Sequence, residues 1–274
     1  ADFREAEIHV LHGYPDADIV LGGLLLGERF DVDHNPVVVQ NSVSMVHGYP
    51  NLDARLTIKS GGYLSAFPIM LGDLTRGVVD LDLQELLIES GGSLSVDGDG
   101  YPGGFGQDNE DRHGIASGGQ PGSLSWADNN VAGGSNGGLG GIYSAPAGTA
   151  QGTLESPAIA GGGGAAWDTG GNNDVGGAGG GVIHIKANLI QVGGVISSNA
   201  AGASDRGSPG AGGSVFLEIN NGGDLLGIGV IRASGGDCNN SSTTAAGGGG
   251  RISVVGYGNA LPDTLRFEAF GGAC

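Results

Sequence analysis

The stretch GGAGGGVIHIKANLIQVGGVISSNAAGA, residues 176–203, decides how this chain is read. Val182, Ile183, Ile185, Ile190, Val192, Val195 and Ile196 are β-branched sheet formers. Yet polyglycine stands in front of them and a Gly-Gly pair interrupts them. Glycine loses more conformational entropy on folding than any other residue, so its place beside strong strand formers needs a structural reason.

The reason lies in a repeat. LTIKSGGYLSAF (56–67) and LLIESGGSLSVD (86–97) align without a gap at an offset of 30 residues. LIQVGGVISSNA (189–200) fits the same template, and LLGIGVIRASGG (225–236) and PDTLRFEAFGG (262–272) are looser copies. A second strand type follows glycine each time, in GGVIHIKA (180–187), GGSVFLEI (212–219) and GGRISVVG (249–256). Its alternation points Ile183, Ile185, Val215, Leu217, Ile252 and Val254 to a core and His184, Lys186, Glu218 and Ser253 outward, with Phe216 interrupting the polar side. Ile190, Ile196, Ile231 and Phe267 hold equivalent inward positions in the Gly-Gly template. HGYP recurs at 12–15 and 47–50 and reads as a repeated corner.

Units of this kind cannot bury an apolar face alone, but stacked coil on coil they form a continuous core of parallel strands. The sequence therefore predicts an all-β chain, a single right-handed parallel β-solenoid over 1–274. It comprises N-terminal coils (1–97), a glycine-rich insertion (98–180) and C-terminal coils (181–274), with long glycine-rich loops thrown out from one edge. Glycine would sit at sharp corners and where backbones pack without side chains.

Composition narrows the partners. Sixty glycines exclude an ordinary globular composition, yet 39% hydrophobic residues and no strict G-x-y period exclude collagen and a disordered linker. With 11 Lys+Arg against 29 Asp+Glu the formal charge is −18, which argues against nucleic acid. No apolar run approaches the roughly 18 residues of a membrane span. The opening ADFREAEIHV carries no signal-peptide pattern, as expected of a mature or excised segment.

The insertion, with almost no strand signal, holds Tyr101, Phe105, Trp126, Tyr143 and Trp167. Exposed aromatic faces suit sugar rings or a protein partner; the competing reading is that they pin the insertion to the coils. The run from GGIYSAPAGTAQG (140–152) through AWDTGGNNDVGGAGGGVIHI (166–185), GAGGSVFLEI (210–219), GIGVIRASGGD (227–237) and AAGGGGRISVVGYG (245–258) resembles the glycine-rich β-helix modules of very large secreted and surface proteins of bacteria. The resemblance covers roughly residues 90–272. It implies an extracellular or cell-surface structural or adhesive module with no common catalytic residues.

Candidate chemistry is sparse. Six histidines show no metal-site spacing. Asp97, Asp99 and Asp108 resemble the start of a Ca²⁺ loop without its full spacing or closing Glu, so a solvated turn competes, and Ca²⁺ is the only cofactor suggested. Asp80 and Asp82, with Arg76 nearby, could serve as the carboxylate pair that a polysaccharide lyase or hydrolase on this fold would need, but only 11 basic residues exist and no cluster of Arg or Lys faces them in the sequence register. Asn239 and Asn240 begin overlapping glycosylation sequons. Cys238 and Cys274 occupy the same template position and are expected to form a disulfide joining the last two coils. Such a bond implies an oxidising compartment. The reading is an extracellular structural or adhesive module that binds carbohydrate or protein surfaces or self-associates into filaments, with a polysaccharide-acting enzyme as the alternative.

Overall fold

A computed structural model describes residues 9–11, 31–33, 37–40, 55–66, 77–105, 113–116, 121–123, 125–126, 130–143, 146–166, 174–204, 206–239, 244–258 and 260–274. Among them there are strands and no helix. The HGYP corners, Arg76, Asp108, Trp167 and Asn240 lie outside the described residues.

Two sheets carry the repeat. The seven-stranded long sheet stacks Arg251–Val255 on Ser214–Gly227, then Val182–Val192, then the collinear pair Val78–Asp82 and Glu85–Ile88, then Arg55–Ile58. These pairings are parallel, and an antiparallel strand, Val37–Gln40, closes the Arg55–Ile58 side. The five-stranded short sheet stacks Tyr63–Leu64, Ser93–Ser95, Val195–Ser197, Val230–Arg232 and Arg266–Glu268, all parallel. This all-β, mostly parallel arrangement is compatible with a β-solenoid.

Register follows the template residue for residue. Leu56, Leu86, Ile190 and Leu225 form one ladder, and Val79, Ile183, Val215 and Ile252 another. In the short sheet Leu64, Leu94, Ile196, Ile231 and Phe267 align. One apolar core runs through these ladders from Leu56 to Leu265. Ile252 and Val254 are only partly buried, and Phe267, expected inside, is 36% exposed. They occupy the last described coil, so their ladders cover them from one side only.

The Gly-Gly pair between the two sheets is explained by stacking. Gly91 sits at φ 85° in a turn closed by the Gly92 N–H donating to the Glu89 carbonyl, a conformation that glycine adopts without penalty. A Cβ on Gly92 would collide with the Ile58 and Lys59 carbonyls, one on Gly194 with the Gly92 carbonyl, and one on Gly229 with the Gly194 carbonyl. The second glycines therefore stack from coil to coil.

The insertion departs from expectation. Val182–Lys186 pairs directly with Val78–Asp82, so the chain leaves the stack after one coil and returns as the next. Some of the described insertion is exposed, as at residues 152–156, but other parts pack inward. Residues 160–166 and most of 176–181, together with 207–213 from the following coil, are buried without being strands. Their hydrogen bonds show a period of three. Gly161 and Gly164 donate to Gly180 and Gly177, Gly162 and Ala165 to Ser135 and Ala132, and Gly163 to Ile115. The carbonyls of Gly161 and Gly164 accept from Tyr101 and Gly104, and those of Gly162 and Ala165 from Ala211 and Ser208.

Three residues per turn is the period of polyproline II, which has no internal hydrogen bonds and so turns its amides to several sides. Here neighbouring backbones, rather than water, satisfy them. Pro102 and Pro209 fit this arrangement because each needs only to accept, from Ile115 and Gly134 respectively. The result is a lattice of glycine-rich segments beside the sheets.

Candidate functional site

The parallel register gathers chemistry on the outer face of the long sheet. Asp80, His184, Phe216 and Ser253 align across four strands, as do Asp82, Lys186, Glu218 and Val255. The His184 Nδ1 lies 2.9 Å from the Asp80 carboxylate and its Nε2 3.7 Å from that of Glu218. Its ring stacks on Phe216 at 5.0 Å with planes 8° apart. The hydrogen bond to Asp80 raises the imidazole pKa, and burial only partly opposes it. Burial raises the Asp82 pKa, against the pull of Lys186, and its Oδ1 is buried with no hydrogen-bond partner.

Sequence spacing alone offered no basic group facing the Asp80/Asp82 pair. His184 and Lys186 are 102 or more residues away in the chain, and only the skip over the insertion places them opposite. Alternation did signal that His184, Lys186 and Glu218 face outward. The grouping supplies three carboxylates, Asp80, Asp82 and Glu218, an imidazole held between two of them and an ammonium, all on the outer face of one sheet.

The other candidates are more dispersed. Tyr101 is 8% exposed and packs with Ala160, Val182, Ile115 and Ile159, so it anchors the insertion to the long sheet and is not a ring offered to a sugar. Phe105 bridges Val175 and is 48% exposed. Tyr143 is half-buried in a small antiparallel sheet, to which Trp126 contributes backbone.

Asp97 is engaged by its neighbour coil: its carboxylate accepts the backbone N–H and side-chain amide of Asn199, whose own Oδ1 accepts the Ser234 N–H at 2.9 Å. Asp99 accepts the Ser65 hydroxyl at 3.1 Å, and burial pushes its carboxyl up to about 7. A carboxyl that holds its proton well above the usual carboxylate range is a weakened Ca²⁺ ligand. Among the described residues, no group of three His, Cys, Asp or Glu side chains is placed to hold a metal ion.

Buried polar side chains tie the lattice to the sheets. The Asn136 side-chain amide donates to the Gly212 and Gly213 carbonyls at 2.8 and 3.0 Å, and its Oδ1 accepts from Arg251 at 3.1 Å. The Ser198 hydroxyl donates to the Gly181 carbonyl at 2.7 Å.

Cys238 and Cys274 form a disulfide with Cα atoms 5.2 Å apart, as their shared template position predicts. It links the last two described coils, beside the Cys238 N–H donating to the Ala273 carbonyl. Disulfides belong to oxidising compartments. Asn239 is exposed, and its side-chain amide donates to the Ala203 carbonyl. No helix among the described residues is long and apolar enough to cross a membrane. Comparison with known proteins found no matching family model, curated protein or solved structure.

Proposed function

We propose that the chain is an extracellular structural or adhesive module, built as a single right-handed β-solenoid flanked by its glycine lattice. The observation that carries this reading is the cross-connection of the whole: ladders in register through five coils, a buried lattice hydrogen-bonded to them, and a disulfide across the last two coils. Stacking of this kind resists bending and proteolysis along the coil axis, the property a surface scaffold needs. The acidic surface keeps such a scaffold soluble. The resemblance to glycine-rich β-helix modules of secreted bacterial proteins points the same way.

A second reading rests on one observation, the placement of His184 and Lys186 opposite Asp80 and Asp82. It would make the outer face a site for acid–base chemistry on polysaccharide. Incubation with pectin, alginate and neutral glycans separates the two. The structural reading expects intact polysaccharide with the protein retained on it. New reducing ends or unsaturated products, lost on His184→Ala, would transfer the assignment to the enzyme.

A further inference from the structure

The joint between the coil before the insertion and the coil after it has no short chain connection. The whole insertion separates Ser93–Ser95 from Val182–Val192, so lateral contacts must hold Val78–Asp82 against Val182–Lys186. The backbone ladder there includes the Val182 N–H donating to the Gly77 carbonyl and the Leu83 N–H to the Lys186 carbonyl. Across this ladder one side chain reaches both ways. The His184 ring lies between carboxylates of the two neighbouring strands, Nδ1 2.9 Å from Asp80 and Nε2 3.7 Å from Glu218, and stacks on Phe216.

The charged groups set against the ring are Asp80 and Asp82 from the strand before the insertion, Lys186 from its own strand and Glu218 from the strand after. The Glu155 carbonyl accepts from Ser253, one strand beyond Phe216 in the register. Lys186 balances one of the three carboxylates. An imidazolium balances a second and presents an N–H to each flanking acid. A neutral ring keeps one N–H and turns the lone pair of its other nitrogen on a carboxylate. Nε2 is buried without a hydrogen-bond partner.

We propose that His184 is a proton-operated clasp on this joint: its imidazolium holds the coil before the insertion to the coils after it, and loss of the proton loosens that joint while the rest of the stack stays closed. The raised imidazole pKa gives the direction: the added stability is fully present below pH 6.5 and is lost as pH rises through the folded value. The use of such a clasp rests on the scaffold reading, as a module whose insertion is held more tightly in acid. Its operation needs no glycan.

Hydrogen exchange of the intact, oxidised chain, read by mass spectrometry without glycan and corrected for intrinsic rates, tests the clasp at pH 5.5 and 8.5. Protection of peptides covering 78–83 and 182–187 should fall between these values by about three- to tenfold more than that of Val230–Arg232, the scale of a half-exposed charged pair opening locally. His184→Gln should lower the acid protection of the joint to its alkaline value. Asp80→Asn, which keeps the ring, should shrink the step, and far-ultraviolet circular dichroism checks that both variants fold. Asp99 loses its proton over the same range, and the His184→Gln comparison separates the two groups. A flat response at the joint, an equal fall at Val230–Arg232, or a step that survives both substitutions would each overturn the proposal. Any of these would leave the scaffold assignment standing, since retention on glycan is measured separately.

Discussion

Gly179→Ala tests the glycine lattice most directly. An ideal Cβ at Gly179 would lie 1.9 Å from the Gly161 carbonyl oxygen, where real Cβ atoms keep 3.0 Å or more. Relief requires the 176–181 segment to move about 1 Å from the 160–166 segment, a displacement that close-packed interiors resist. Two hydrogen bonds between these segments would be strained or lost, Gly161 N–H to Gly180 at 2.7 Å and Gly164 N–H to Gly177 at 2.8 Å. Each leaves buried backbone groups unpaired, at about 1–3 kcal/mol apiece. The reduced freedom of the unfolded chain returns only about 0.4–1 kcal/mol. A net loss of about 1–5 kcal/mol is therefore expected.

Gly202→Ala is the matched control. It is exposed, has no left-handed φ, and a Cβ there meets nothing within 4 Å. It should be neutral or stabilise slightly. Urea unfolding followed by far-ultraviolet circular dichroism, with linear extrapolation, measures both. If Gly179→Ala unfolds within about 0.5 kcal/mol of wild type, the segments are not in close backbone contact, and the lattice argument fails.

Other outcomes follow from the same contacts. Asp99 has its carboxyl raised from 3.8 to about 7, so folding favours its neutral form and stability falls as pH rises through that window. Asp99→Asn should remove that fall and stabilise above neutral pH by at most about 4 kcal/mol, a ceiling set by ~1.4 kcal/mol per pH unit; parallel melting curves for the two proteins from pH 4 to 8 would refute it. His184 is raised above 6.5, chiefly by its hydrogen bond to Asp80, so its stabilising contribution is fully present below pH 6.5 and is lost as pH rises through the folded value. Melting temperatures should show His184→Gln furthest below wild type in acid, with the gap narrowing on the alkaline side. Unfolded, unreduced protein should titrate with no free thiol, and Cys238→Ser with Cys274→Ser should cost about 2–4 kcal/mol in urea unfolding. Ile196→Ala, inside the short-sheet ladder, should cost about 2–5 kcal/mol by the same assay, against little effect from a change at exposed Ile228.

What could be determined from sequence alone is whatever repeats within a coil. Alternation identified Ile183, Ile185, Val215 and Leu217 as core because a strand has period two, and inward positions must match wherever coils stack. The Cys238–Cys274 pairing was legible for the same reason, since equal template positions in adjacent coils lie one strand spacing apart. The tertiary structure decided what depends on which segments become neighbours. The repeat template set Ile190 beside Leu86 across the insertion, but it did not reach the preceding strand Val78–Asp82, so only the structure places His184 on Asp80. Phe267 reads like Ile231 in sequence, and only its position in the last described coil leaves it exposed. Glycine runs are the extreme case: a residue without a side chain carries no periodic signal, so its three-residue hydrogen-bond pattern exists only in the backbones that surround it.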